Sequence, residues 1–152
     1  MKLPEPLFAI INPVMRTFLR SPIHGLWSSS IMLITFTGRH SGKQFTTPVR
    51  YIESDGVVRC FTAKENQWWR NLRNEAPVKL RVKGQSAWYR AKAIHDDPVA
   101  IRKWLTIYLA QYPQDADYHD IRLTKDKRLV EEDLERAVAQ AVVVEAHLTG
   151  PA

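Results

Sequence analysis

The stretch Thr37-Gly38-Arg39-His40-Ser41-Gly42-Lys43-Gln44-Phe45-Thr46-Thr47-Pro48 combines the residue types needed to hold an anion. Gly38 and Gly42 permit positive φ and close backbone approach. Successive N–H groups in such a turn form a concave anion nest. Arg39 and Lys43 add positive charge, and Ser41, Thr46 and Thr47 add hydroxyls. The expected ligand group is a phosphate or a carboxylate. The same residues would also serve as an ordinary solvated basic turn. The stretch is not a P-loop: three residues separate the glycines where that motif has four, and Gln44 follows the lysine where the motif has Ser or Thr.

A second cluster is Lys64-Glu65-Asn66-Gln67-Trp68-Trp69-Arg70-Asn71-Leu72. Adjacent tryptophans on a helix point to different faces. One would enter the core and the other would line a cleft, where a flat heteroaromatic ring could stack on it. Both serving the core is the competing expectation. Tyr108, Tyr112 and Tyr118 are possible proton donors, and equally helix-packing residues. The histidines, at 24, 40, 95, 119 and 147, have no metal-ligand spacing, so no metal site is expected. There is no Gly-x-Ser-x-Gly elbow, which leaves a hydrolase triad without support. Cys60, the single cysteine, lies in the apolar run Val57–Phe61 and reads as a buried thiol.

These clusters need a scaffold. Ile31–Phe36 reads as a buried strand, Thr37–Thr46 as a polar loop and Pro48–Glu53 as a second strand. Asp55-Gly56 is a strong hairpin turn leading to a third strand, Val57–Thr62. Residues 65–74 have helical spacing. Val78–Val82 and Ala87–Ile94 form another strand pair about Lys83-Gly84-Gln85. Asp97-Pro98 opens a helix that stops near Pro113. Leu129–Val138 reads as a helix and Ala141–Leu148 as a last strand. Residues 1–28 form an N-terminal helical segment, with a helix from about Pro13 to Arg20. Its apolar face would pack on the barrel or, aided by Arg16 and Arg20, touch a membrane surface. Sequential hairpins and six short strands predict an α+β, mainly β chain: an antiparallel barrel flanked by helices.

The 152 residues fit a single domain, 1–152, and 45% hydrophobic content is ample for one core. A lone cysteine points to a reducing, cytoplasmic setting. No run of about 18 apolar residues spans a membrane, and no secretory signal is apparent in the first residues. The net charge of +6 favours anionic partners. The charges are dispersed along the chain, which argues against nucleic acid.

Gly-Arg-x-Ser-Gly-Lys, then Thr-Thr-Pro-Val, a hairpin and Trp-Trp-Arg-Asn-Leu together resemble the deazaflavin-dependent nitroreductase family, over roughly residues 30–95. The resemblance implies a six-stranded split β-barrel of the FMN-binding type, often a homodimer. It implies coenzyme F420, with FMN as the alternative, and hydride transfer to a quinone or nitroaromatic acceptor. A non-catalytic flavin, haem or lipid binder of the same fold is the other outcome it leaves open. By position, Arg39, Ser41, Gly42 and Lys43 would hold the cofactor's phosphate and acidic tail, and Thr46, Thr47 and Pro48 would shape the strand beneath. Thr62, Ala63 and Lys64 would line the ring edge, and Trp68, Trp69 and Asn71 would close the pocket. Phe45 stands where many members carry an arginine.

Overall fold

The computed structural model describes residues 30–152. The expected N-terminal helix, and the membrane contact expected of it, fall outside the described residues. Two tight turns organise the strands. Asp55 and Gly56 have φ of 53° and 77°, and Lys83 and Gly84 have φ of 51° and 79°. These are the paired positive values that match a hairpin's twist. The turns join β2 (Gln44–Ser54) to β3 (Val57–Ala63), and β4 (Ala76–Val82) to β5 (Gln85–Ile94). With β1 (Ile31–Thr37) and β6 (Ala141–Pro151), six antiparallel strands close a barrel in the order β1-β2-β3-β6-β5-β4. The expected barrel is present.

Side-chain alternation decides what faces where. Met32, Ile34, Phe36, Tyr51, Val58, Cys60, Val78, Leu80, Val142 and Val144 fill the interior. The opposite face of β3 and β6 is also apolar, at Phe61, Ala141 and Val143, and it is covered by two helices. These are α1 (Pro98–Gln111) and α2 (Glu131–Gln140). Burial on both faces explains why β3 and β6 read as continuous apolar runs rather than alternating ones. Asp97 caps α1 by accepting from the Ala100 N–H at 3.1 Å, with Pro98 in the first turn. Arg59 bonds Glu145 at 2.7 Å and stacks on Trp104 at 3.4 Å, which fastens α1 to the sheet.

Four local features differ from the sequence expectation. The loop after β1 is shorter, because β1 and β2 stay in register out to Thr37 and Gln44. The segment 65–74 is helical only as a 3₁₀ turn, Trp68–Leu72. Here the Asn71 side chain donates to the Trp68 carbonyl at 2.8 Å and competes with the helical ladder. A 3₁₀ segment at Pro113–His119, unforeseen in the sequence, ends on Asp120 in the left-handed region (φ 57°). Finally, β6 runs past Leu148 into polar residues, because β5 continues to pair with it as far as Ala87–Pro151, across a bulge at Trp88/Tyr89.

Candidate functional site

Residues 38–43 form a closed turn. The Gly38 N–H donates to the Lys43 carbonyl at 2.8 Å and the Gly42 N–H to the Gly38 carbonyl at 2.9 Å. Gly42 has φ of 71°, so its lack of a Cβ is used. Gly38 is needed for space: a Cβ there would lie 2.8 Å from the Phe45 ring and 2.9 Å from Ser41 Oγ. The Lys43 N–H donates to Ser41 Oγ at 3.2 Å, and the Arg39 N–H to Asn71 Oδ1 at 2.8 Å. Among the described residues, the N–H groups of His40 and Ser41 make none of these turn bonds, and Arg39 and Lys43 beside them are exposed. The turn thus sets two exposed cations beside backbone donors that it does not use itself, the materials of an anion site.

Asn71 unites the two sequence clusters. Its oxygen accepts from both the backbone and the guanidinium of Arg39 (2.8 and 3.3 Å), while its amide donates to Trp68. Trp68 and Trp69 depart from the expectation of one exposed ring. Both are buried, at 5% and 2% exposure, within the barrel core. Trp68 packs on Phe36 and Phe36 on Phe45, with centroids 5.7 and 5.8 Å apart. A 3₁₀ turn rotates neighbouring side chains differently from an α-helix, and this one turns both rings inward. Neither is left for a ligand to stack on. Thr47 lies in register with Ile34, and its Oγ1 is buried without a hydrogen-bond partner.

A cavity of about 350 Å³ lies on the outer face of β1, β2 and β3. Its floor includes Ile31, Pro48 and Phe61, and its roof Gln114, Asp115 and Tyr118 from the Pro113–His119 segment. Arg50 pins that roof: Nε donates to Asp115 at 2.7 Å and the guanidinium lies 4.9 Å from the Tyr112 ring centroid. Tyr108 donates to the same Asp115 carboxylate. Burial first, and then that hydrogen bond, push the Tyr108 hydroxyl far above its ordinary value, so it keeps its proton. Tyr118 is different. Its oxygen accepts from Asn66 Nδ2 at 3.2 Å, and Asn66 is held by Thr62 Oγ1 at 2.8 Å. A hydroxyl that accepts from behind has its own hydrogen available for a ligand.

The candidate residues therefore fall into several places rather than one pocket. Arg39, Ser41, Gly42, Lys43 and Asn71 form the basic turn. Pro48 lines the outer-face cavity, and Thr62 reaches its rim through Asn66. Ala63 lies in a smaller recess with His119 and Arg136. The Lys64 N–H bonds to the Gln140 carbonyl at 2.8 Å, and its own carbonyl accepts from Arg70 at 3.0 Å. Thr46 faces a third depression with Lys79 and Arg81. Sequence reasoning missed Asn66, Arg50 and Asp115, whose roles arise from contacts between distant segments.

The family model for F420H(2)-dependent quinone reductases matches residues 15–129. The chain belongs to that family. It is thus one of the deazaflavin-dependent oxidoreductases, with coenzyme F420 as cofactor. Solved structures agree on the fold of this reductase. One titled a domain-swapped dimer is 19% identical, with a TM-score of 0.54 over 92% of this chain and 98% of the other. A conserved hypothetical protein from Mycobacterium tuberculosis is 14% identical, with a TM-score of 0.53 over 91% and 83%. The FAD and haem binding protein from Mycobacterium smegmatis is 12% identical, with a TM-score of 0.50 over 88% and 66%. No curated protein matches the chain. The basic turn suits the cofactor's phosphate in one respect: exposed Arg39 and Lys43 flank it, with no carboxylate among residues 38–43.

Proposed function

We propose that the reductase passes a hydride to a quinone-type acceptor held in the cavity between Pro48, Phe61 and Tyr118. The observation that carries this reading is the Thr62–Asn66–Tyr118 chain at the cavity rim. Reduced F420, when bound, supplies the hydride. The turn residues Arg39, Ser41, Gly42 and Lys43 hold its phosphate, and Asn71 fixes the turn against the barrel. Ile31, Pro48 and Phe61 present an apolar floor to a flat ring. A quinone that gains a hydride becomes an anion at one oxygen and needs one proton. The Tyr118 hydroxyl donates that proton and is reprotonated from solvent at the open rim. Asn66 holds the hydroxyl oxygen, so the hydrogen is aimed at the acceptor rather than at the protein.

A nitroaromatic acceptor is a second substrate class for the same cavity, since its reduction also takes up hydride and protons. Steady-state oxidation of F420H2 with menadione and with a nitrobenzene tests the choice. Faster turnover with menadione is expected. Turnover with neither would overturn the reading. We also infer that the protein pairs with itself, as a solved relative titled a domain-swapped dimer does. Light scattering should give twice the chain mass, and a monomer would remove this part.

A further inference from the structure

Tyr118 rides on a segment that side chains fasten to the barrel. The turn bonds at the ends of Pro113–His119 stay within residues 112–121. The Asp115 N–H donates to the Tyr112 carbonyl at 3.0 Å, Asp120 to Asp117 at 3.0 Å and Ile121 to Ala116 at 2.9 Å. None of these bonds reaches a strand. Ala116 and His119 are buried, whereas Asp115 and Tyr118 both line the acceptor cavity. The latter two are three residues apart, and side chains at that spacing eclipse in a 3₁₀ turn. Whatever fixes Asp115 therefore fixes the rotation and height of Tyr118 above the floor.

Asp115 is gripped from two elements. Its Oδ2 accepts from Arg50 Nε on β2 at 2.7 Å and from the Tyr108 hydroxyl on α1. Both donors are themselves held. Arg50 Nη1 donates to Ser30 Oγ at 3.0 Å, and its guanidinium lies over the ring of Tyr112, the residue just before the segment. Tyr108 stacks on Phe61 of β3, with centroids 4.3 Å apart and 8° between the planes. The ion pair is partly buried, at 25% and 18% side-chain exposure, so salt screens it less than a surface pair. The Asn66 bond to the Tyr118 oxygen is longer, at 3.2 Å, and restrains one atom rather than the segment.

We propose that Asp115 is a positioning residue for acceptor reduction: its carboxylate, gripped by Arg50 and Tyr108, holds the roof where Tyr118 meets the acceptor. This rests on the reading of Tyr118 as the proton donor. Asp115 itself transfers no proton. Its grip turns a short surface segment into a fixed wall of the cavity.

The experiment follows F420H2 oxidation by menadione in wild type, Asp115→Ala, Tyr118→Phe and the double variant. Arg50→Gln replaces Asp115→Ala should that variant misfold. Asp115→Ala should lower kcat about tenfold and leave KM within about twofold, since a misplaced donor weakens the transition state and not acceptor binding. In the Tyr118→Phe background the same change should cost nothing further, because the group it positions is gone. An equal loss in both backgrounds, or a raised KM with unchanged kcat, would overturn the proposal. Hydrogen exchange judges the grip without the reaction. The amides of residues 114–119 should exchange at least about tenfold faster in Asp115→Ala, with those of the strands unchanged. Unchanged exchange in the segment would also overturn the proposal. If Tyr118→Phe costs nothing, or wild type does not turn over menadione, the functional reading fails and the positioning role with it. The exchange result still shows whether Asp115 holds the roof.

Discussion

At the residue scale, the reading makes Tyr118 a proton donor and excludes Tyr108. Tyr118→Phe should lower kcat with quinone by about 10²-fold, the usual worth of a positioned acid. Cofactor affinity should change little, because the lost atom faces the acceptor. An unchanged kcat in presteady-state traces would remove Tyr118 from the mechanism. Cys60 has no such role. Burial pushes its thiol from 9.0 up to about 12. Burial, aided by Glu53, likewise raises Tyr51 from 10.0 to about 12. Both groups hold protons more tightly folded than unfolded. Their contribution to stability is therefore complete below pH 9 and is lost as pH rises from 9 to 12. Denaturation midpoints should fall across that window, and dithionitrobenzoate should label Cys60 only after unfolding. Labelling of the native protein would contradict its burial. The thiol's burial was legible from its apolar neighbours. The partner of Tyr118 was not, because Asn66 is fifty-two positions away in the chain.

At the element scale, the turn at 38–43 and the 3₁₀ segment at 68–72 act as one unit through Asn71. Asn71→Ala removes the acceptor of two Arg39 bonds and the donor to Trp68. The expected loss is about 1 kcal/mol of stability, from replacing partly exposed hydrogen bonds with water. The larger effect should be local: faster trypsin cleavage after Arg39 or Lys43, measured under native conditions. An unaltered cleavage rate would mean that the turn holds itself. Turn signals and alternation placed most strands correctly, since Asp-Gly and Lys-Gly leave few options. The 3₁₀ geometry was hidden, because Trp68, Trp69 and Leu72 fit a helical pattern as well. Only the Asn71 side chain, folding back on the Trp68 carbonyl, separates the two. The Pro113–His119 segment was also hidden, for its roof position depends on Arg50 from a strand far away in sequence.

At the scale of the whole molecule, the barrel closes through a short pairing of β1 with β4, Leu33–Thr35 against Lys79–Arg81. Leu80 sits at that seam and is fully buried. Leu80→Ala should cost about 2–5 kcal/mol by leaving a cavity where the core cannot easily collapse. Urea denaturation measures it, and a cost near zero would mean that the seam tolerates loss of packing. Six strands and an antiparallel order could be read from the sequence. The β3–β6 and β1–β4 neighbours could not, since both join strands that are not consecutive.

The central claim is that the basic turn holds F420. Its most direct test is a fluorescence titration with F420, and in parallel with FMN, of wild type and Arg39→Ala/Lys43→Ala. The account predicts saturable F420 binding by wild type, weaker FMN binding, and F420 affinity reduced at least about tenfold in the variant, from two lost charge-assisted contacts. Equal F420 affinity in the two proteins would contradict it.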